Sequence, residues 1–299
     1  MKPIDRVVEI WLELSGRSRP TGGTGDLRVL FYGAPVDDFW RRALEAASPV
    51  WRRLPEVSRV AFVPRRFGDG LVRAAGADTV VIPLTEADLL VCPPGGRRSA
   101  PSPEVVECFR DKRRFAAWVE DRGLGDVAAL PLRLDAPSSF PCVLKRTDQR
   151  NGRGVVRVDG PEELAARLRE PAWKGRPVVL QEWIDGAEEY VTHLVCDGGR
   201  IRWHRTYAYG LRAGETIRSD ARIETKRPVE VSPADLADMA RLLEPVGYTG
   251  PCNLNFKRRA NGRIAVFEIN PRFGGSLMRP EGLPDLAEAL AHLVAQARG

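Results

Sequence analysis

Apolar and polar positions along the chain change period several times, and each change marks an element. From Leu27 short apolar runs alternate with helical spacing: strands over 27–32, 59–63, 79–82 and 89–92, with helices over 38–47 and 70–75 between them. Strands buried on both faces and joined by helices predict a parallel sheet covered on two sides. Ahead of it, Ile4, Val7, Val8, Trp11 and Leu12 recur at helical spacing, and 15–25 is rich in Gly, Ser, Thr and Pro, which reads as a helix on a tether. Pro93-Pro94-Gly95-Gly96 then closes the first region.

The second region opens with a helix over 103–122. An apolar strand over 141–146 carries Lys145, the loop Asp148 to Gly154 contains Asn151, Gly152 and Gly154, and a strand follows over 155–158. A helix over 161–169 leads to an apolar strand over 178–186, then to strands beginning at Glu189 and spanning 199–209. A loop is expected over 210–227. Ser232 and Pro233 start a helix reaching 247, and 283–298 places Leu286, Leu290, Leu293 and Val294 on one helical face.

The most regular alternation lies between Pro251 and Pro271, around Asn261-Gly262, the pair favoured in two-residue hairpin turns. With such a turn, Asn255 faces Glu268 and Asn253 faces Asn270. Period 2 then gives one face Cys252, Leu254, Phe256, Ala265, Phe267 and Ile269, and the other Asn253, Asn255, Glu268, Asn270 and, just beyond, Arg272. A carboxylate and two amides across one strand pair offer oxygens at a spacing that suits a hard cation such as magnesium.

Composition narrows the picture. No apolar run reaches the length of a membrane span, and the first residues lack the pattern of a secretory leader, so neither membrane nor export is expected. Five cysteines without paired spacing fit a reducing cytoplasm, as core residues, better than a disulfide framework or zinc site. The formal charge of +6 is dispersed without aromatic interleaving, so no nucleic-acid partner is expected, whereas a triphosphate site would use positive charge. Lysine is scarce beside arginine, which singles out Lys145 inside an apolar strand. A strand lysine beside a glycine-containing loop can set an ammonium against phosphates while loop N–H groups cap them.

Glu268-Ile269-Asn270-Pro271-Arg272, preceded by Asn253-Leu254-Asn255-Phe256, resembles the metal-binding end of ATP-grasp enzymes of the carboxylate-amine ligase type. The resemblance covers about 101–276, and 27–96 by pattern alone. It implies an α/β fold: an N-terminal parallel-sheet domain over 27–96, after a helix and tether over 1–26, followed by a two-lobed ATP-grasp domain over 97–299 with its lid at about 128–180. It implies that Asn255, Glu268 and Asn270 hold two magnesium ions, or manganese in their place, where Asn255 stands at a position more often Gln, Glu or Asp. It further implies that Lys112 and Lys145 reach the phosphates with the loop at Asn151, Gly152 and Gly154. The hinge Glu182, Trp183 and Ile184 would take adenine, Glu189 the ribose, Arg205 a phosphate, and Arg272, with Lys145, a catalytic role.

Glu188 competes with Glu189 for the ribose, because the preceding loop is one residue longer than usual. The implied reaction activates a small, amino-acid-like carboxylate as an acyl phosphate with release of ADP, and an amine then forms an amide. A phosphotransferase of the same fold and a non-catalytic nucleotide-binding protein remain alternatives. The acid, the amine and the choice between monomer and homodimer stay open.

Overall fold

The computed structural model describes residues 18–149 and 152–298, and the helix expected over 4–14 lies outside them. The first sheet contains β1 (Ser18–Pro20), β2 (Leu27–Tyr32), β3 (Val57–Val63) and β4 (Thr79–Pro83) in the order β1-β3-β2-β4. The last three are parallel, as the pattern predicts. Part of the expected tether instead forms β1, antiparallel to β3, with Pro20 at its end on the sheet edge.

Helices α1 (Asp38–Leu44), α2 (Arg65–Ala74) and α3 (Glu86–Val91) connect this sheet onward. The third replaces the strand expected over 89–92. Thr85 Oγ1 accepts from Asp88 N, and Thr85 N donates to Asp88 Oδ2, a reciprocal cap that starts a helix despite the apolar run behind it. The single helix expected over 103–122 is likewise two, α4 (Pro103–Arg110) and α5 (Lys112–Asp121). Asp111 has extended backbone and accepts from Arg113 N and Arg114 N, so it ends one helix and caps the next.

A small antiparallel sheet follows, made of β5 (Pro131–Leu132), β6 (Cys142–Arg146), β7 (Val155–Val158) and β8 (Val178–Glu182) in the order β5-β8-β6-β7. Its helix α6 (Pro161–Arg169) supplies Leu164 to a separate core with Leu144, Val158, Trp173 and Leu180. These elements occupy the stretch over which the lid is expected, and the name is kept for them below.

The central sheet has β9 (Glu188–Asp197), β10 (Arg200–Leu211), β11 (Ile223–Val229), β12 (Gly250–Arg258) and β13 (Ile264–Asn270), all antiparallel, in the order β11-β10-β9-β12-β13. The loop expected over 210–227 is therefore shorter, because β10 runs on to Leu211 and β11 pairs with it. One face packs Leu194, Leu254, Phe256 and Ile269 against Phe109, Phe115 and Met239, the last from α7 (Pro233–Leu243). On the opposite face Val191, Val195, Trp203 and Tyr207 meet Leu286, Leu290 and Val294 of α8 (Leu283–Arg298) together with residues of the first sheet.

The β12–β13 turn differs from expectation. Arg259 N donates to Arg263 O at 2.8 Å and Gly262 N to Arg259 O at 2.9 Å, with Gly262 at φ 81°, so the loop has three residues rather than two. The register is shifted by one near the turn, where Phe256 pairs with Val266, and recovers at Asn255 and Glu268 by leaving Phe267 unpaired. This bulge preserves the expected pairs Asn255–Glu268 and Asn253–Asn270. It sends Val266 to the core and moves Ala265 and Phe267 to the polar face, contrary to the alternation read from sequence. Among the described residues no helix is long and apolar enough to cross a membrane.

Candidate active site

Rows of side chains descend the α8-covered face of the central sheet. Val195 and Trp203 lie beneath α8; His193, Asn253 and Asn270 form the next row; Val191, Asn255 and Glu268 the next; and Glu189 and Tyr209 the last. Lys257, two residues beyond Asn255 on the same strand face, extends the polar part of the floor. Past the edge of α8 the floor opens into a cavity closed by the lid, lined by Val143 and Lys145 of the lid, Trp183 and Ile184 of the hinge, Glu189, Thr216, Lys257 and Phe267.

Lys145 is 9% exposed and sits 4.6 Å above the Phe267 ring, the residue that the bulge turned toward it. Burial lowers its ammonium to about 8, while Glu268 and Glu189 pull it upward. Lys112 begins α5 because Asp111 broke the longer helix, and its Nζ donates to Gln149 O at 3.0 Å, at the root of the glycine loop. Gly152 has φ 72°, and a Cβ there would lie 2.1 Å from Arg218 O, so only glycine lets the lid loop meet residues 212–222. Gly154 also has positive φ, 61°, and lies against the Arg146 side chain. Asn151 lies outside the described residues.

β8 ends at Glu182, so the peptides of Trp183 and Ile184 run past the sheet along the cavity wall. The Glu182 carboxylate is spent on holding that wall: Oε1 accepts from Leu130 N at 2.8 Å, and Oε2 meets Arg259 Nη1 at 2.6 Å. Buried Trp183 Nε1 has no hydrogen-bond partner, and its ring is approached by Arg157 at 5.0 Å and Lys257 at 5.3 Å. Of the two competing glutamates, Glu189 lines the cavity and pairs with the partly buried Arg218. Glu188 faces away, accepting from Tyr190 Oη at 2.6 Å and Arg227 Nη2 at 2.7 Å.

Asn255, Glu268 and Asn270 share the floor as expected. Asn255 Nδ2 donates to Glu268 Oε2 at 2.7 Å, and Asn270 Nδ2 to Asn253 Oδ1 at 3.3 Å. One carboxylate and two amide oxygens are hard donors of the kind magnesium takes, so their chemistry fits the ion. Among the described residues there is no group of three or more His, Cys, Asp or Glu side chains placed to hold a metal, so the fit requires phosphate or water oxygens to complete the shell.

Two expected residues stand elsewhere. Arg205 makes a charge contact with Asp285 of α8 at 2.9 Å and a longer one with Glu230, and it does not line the cavity. The sequence could not foresee α8 lying across this part of the sheet. Arg272 is held at the junction with the first domain, its Nε on Glu86 Oε1 at 2.9 Å and its Nη1 on Phe273 O at 2.8 Å.

Several polar groups near the floor carried no motif. Arg218 pairs with Glu189 and lies 4.7 Å over Tyr209, and Lys226 Nζ reaches Ser276 O and Glu281 at 3.1 Å each. His193 Nε2 meets Ser276 Oγ at 2.6 Å, while its buried Nδ1 is unpartnered. Burial, then the nearby Lys226, Arg272 and Arg218, depress this imidazole to about 3 and keep it neutral. Arg218 lies in what sequence reads as a loop with charges of both signs, and only a contact map could single it out.

No protein-family model matches the chain. Over 143 residues, 46% of this chain and 46% of the relative, it is 27% identical to the D-alanine–D-alanine ligase of Halorhodospira halophila, so the match spans less than half of that ligase. Its structure resembles that of the Bacillus anthracis D-alanine–D-alanine ligase complexed with ATP, with a TM-score of 0.58, 14% identity, and coverage of 92% of this chain and 97% of the other. It also resembles N5-carboxyaminoimidazole synthetase of Staphylococcus aureus complexed with ADP, with a TM-score of 0.59, 12% identity, and coverage of 85% and 74%. In this chain a small antiparallel sheet is joined through residues 183–187 to a five-stranded antiparallel sheet and preceded by a small parallel-sheet domain, and the likeness shows that it shares its fold with these two proteins, in agreement with the fold that the ATP-grasp resemblance implies.

Proposed function

We propose that this chain is an ATP-dependent, ADP-forming ligase that joins a small, amino-acid-like carboxylate substrate to an amine. The observation that carries this reading is one cavity lined by a buried lysine of the lid, the apolar hinge and Glu189, with the paired Asn255 and Glu268 on the neighbouring part of the same sheet face. In this reading the residues over 27–96 form the domain ahead of the grasp fold, those from 97 onward form the grasp fold itself, and Lys112, Lys145, Gly152 and Gly154 face the phosphates. Adenine lies along Trp183 and Ile184 over Phe267, with Glu189 at the ribose.

Asn255, Glu268 and Asn270 would hold magnesium. Bound there, the ion neutralises phosphate charge. The substrate carboxylate attacks the γ-phosphorus, the bond to the bridging oxygen breaks, and ADP leaves with that electron pair. The amine nitrogen then attacks the acyl carbon, phosphate departs and the nitrogen sheds a proton. Such transfers need positioning and charge compensation more than covalent help. The Lys145 ammonium compensates charge from the lid, and the apolar lining of Val143, Ile184 and Phe267 excludes water. Arg272, tied to Glu86 between the domains, would orient the carboxylate substrate only after exchanging partners.

A screen of amino acids for stimulated ADP release, with product mass analysis, tests the proposal. An amide product supports it. A phosphorylated hydroxyl would instead assign a phosphotransferase, and ATP binding without any turnover would leave a nucleotide-binding protein.

A further inference from the structure

Lys257 belongs to no motif, yet it is 5% exposed and lines the cavity beside Trp183 and Thr216. Its Nζ donates to two backbone carbonyls, Gly186 O and Thr216 O, at 2.8 Å each. Gly186 belongs to the hinge and Thr216 to the segment 212–222, which joins β10 to β11. The same segment supplies Ile217 to the cavity wall, Arg218 to Glu189, and the Arg218 carbonyl against which Gly152 of the lid loop packs. Hinge, lid tip and this segment therefore meet where one buried ammonium ties two of them to the floor. A buried charge is retained at a cost unless its hydrogen bonds are satisfied, and here two carbonyls satisfy it.

We propose that Lys257 is a positioning residue that clasps segment 212–222 to the hinge, making that segment the third wall of the nucleotide cavity and the seat on which the lid loop closes. The proposal rests on the nucleotide reading of the cavity, but the clasp can be tested without it. Removing the ammonium while keeping the chain length frees both carbonyls. In Lys257→Met, amide hydrogen exchange of 212–222 in the nucleotide-free protein is expected to quicken at least tenfold, with exchange in α8 unchanged. KM for ATP should rise about tenfold or more, the loss of a charged hydrogen bond, while kcat changes less. Lys257→Arg, which keeps charge and donors, should recover part of both effects.

Exchange and KM at wild-type values in Lys257→Met would overturn the clasp. Should that variant fail to fold, Lys257→Gln, which is shorter and uncharged, decides: faster exchange of 212–222 and a raised KM support the proposal, and wild-type values for both overturn it. Absence of ATP binding to the wild-type protein by calorimetry would overturn the nucleotide reading, while the exchange measurement would still decide the clasp.

Discussion

On the sheet face that leads into the cavity Glu189 is paired with Arg218, Asn255 with Glu268, and Lys257 with two carbonyls. Lys145, the lid's contribution, is instead placed over the Phe267 ring in the field of floor carboxylates, and burial depresses its ammonium. The floor is thus preorganised and must exchange partners when a ligand arrives, whereas the lid carries a buried charge whose compensation would improve with phosphate. In the proposed reading, a site divided in this way would link lid closure to the presence of an anion, since closure without one leaves the cost of desolvating Lys145 poorly offset.

The largest expected effect breaks the floor. Glu268 is the only carboxylate among Asn255, Glu268 and Asn270, and Glu268→Gln keeps its size while removing its charge. ADP formation at saturating magnesium should fall by about a thousandfold or more, the loss of several kcal/mol of charge stabilisation, with a circular dichroism spectrum like that of the parent. Retained turnover would remove the floor from the chemistry.

On the lid side, Lys145→Ala should weaken ATP about a hundredfold, as expected for a charged hydrogen bond, and adenosine much less. Calorimetry with both ligands checks this. Equal losses would place Lys145 near the base rather than the phosphates.

A smaller effect follows from the lowered basicity of Lys145. Its free-state value near 8 lies below the ordinary lysine value, so ATP-free protein loses this proton as pH rises through about 8. A bound phosphate favours the ammonium, and binding above that pH must therefore take up a proton. ATP affinity should fall as pH rises from 8 toward 9, by up to tenfold per pH unit, and Lys145→Met should flatten that limb. The stability contribution of the same group runs the other way, because a depressed lysine is least favourable to the fold below about 8 and becomes less unfavourable as pH rises toward 10.5. Calorimetry in buffers of different ionisation enthalpy measures the proton uptake.

Much of this comparison was legible in the sequence because it rests on local periodicity. The alternation on either side of Asn261-Gly262 identified the Asn255–Glu268 and Asn253–Asn270 pairs, and the strand lysine stood out in a chain poor in lysine. What was missed depends on contacts between distant segments or on a one-residue irregularity. The bulge at Phe267 restores the register farther along and so leaves the predicted pairs intact while reversing Ala265, Val266 and Phe267. The Thr85–Asp88 cap and the Asp111 break were local and readable, yet the apolar run over 89–92 and the helical spacing over 103–122 masked them. Arg218 and Lys257 acquire their importance only when 212–222 folds back over the hinge.

The smallest expected effect concerns Arg205, which the family resemblance assigns to phosphate and the fold assigns to α8. Its guanidinium lies 2.9 Å from Asp285, with 30% and 16% of the two side chains exposed, and Tyr207 Oη donates to the same carboxylate. Replacing Arg205 by Gln therefore leaves Asp285 with one partner and alters nothing that lines the cavity. A half-exposed pair of this kind is worth about 1 kcal/mol, which in a chain of this size lowers Tm by roughly 2–4 °C. ATP affinity and ADP formation should stay within twofold of the parent. A loss of ATP affinity comparable to that of Lys145→Ala, at unchanged Tm, would mean that Arg205 leaves Asp285 for the nucleotide, and that α8 uncovers this part of the floor when the lid closes.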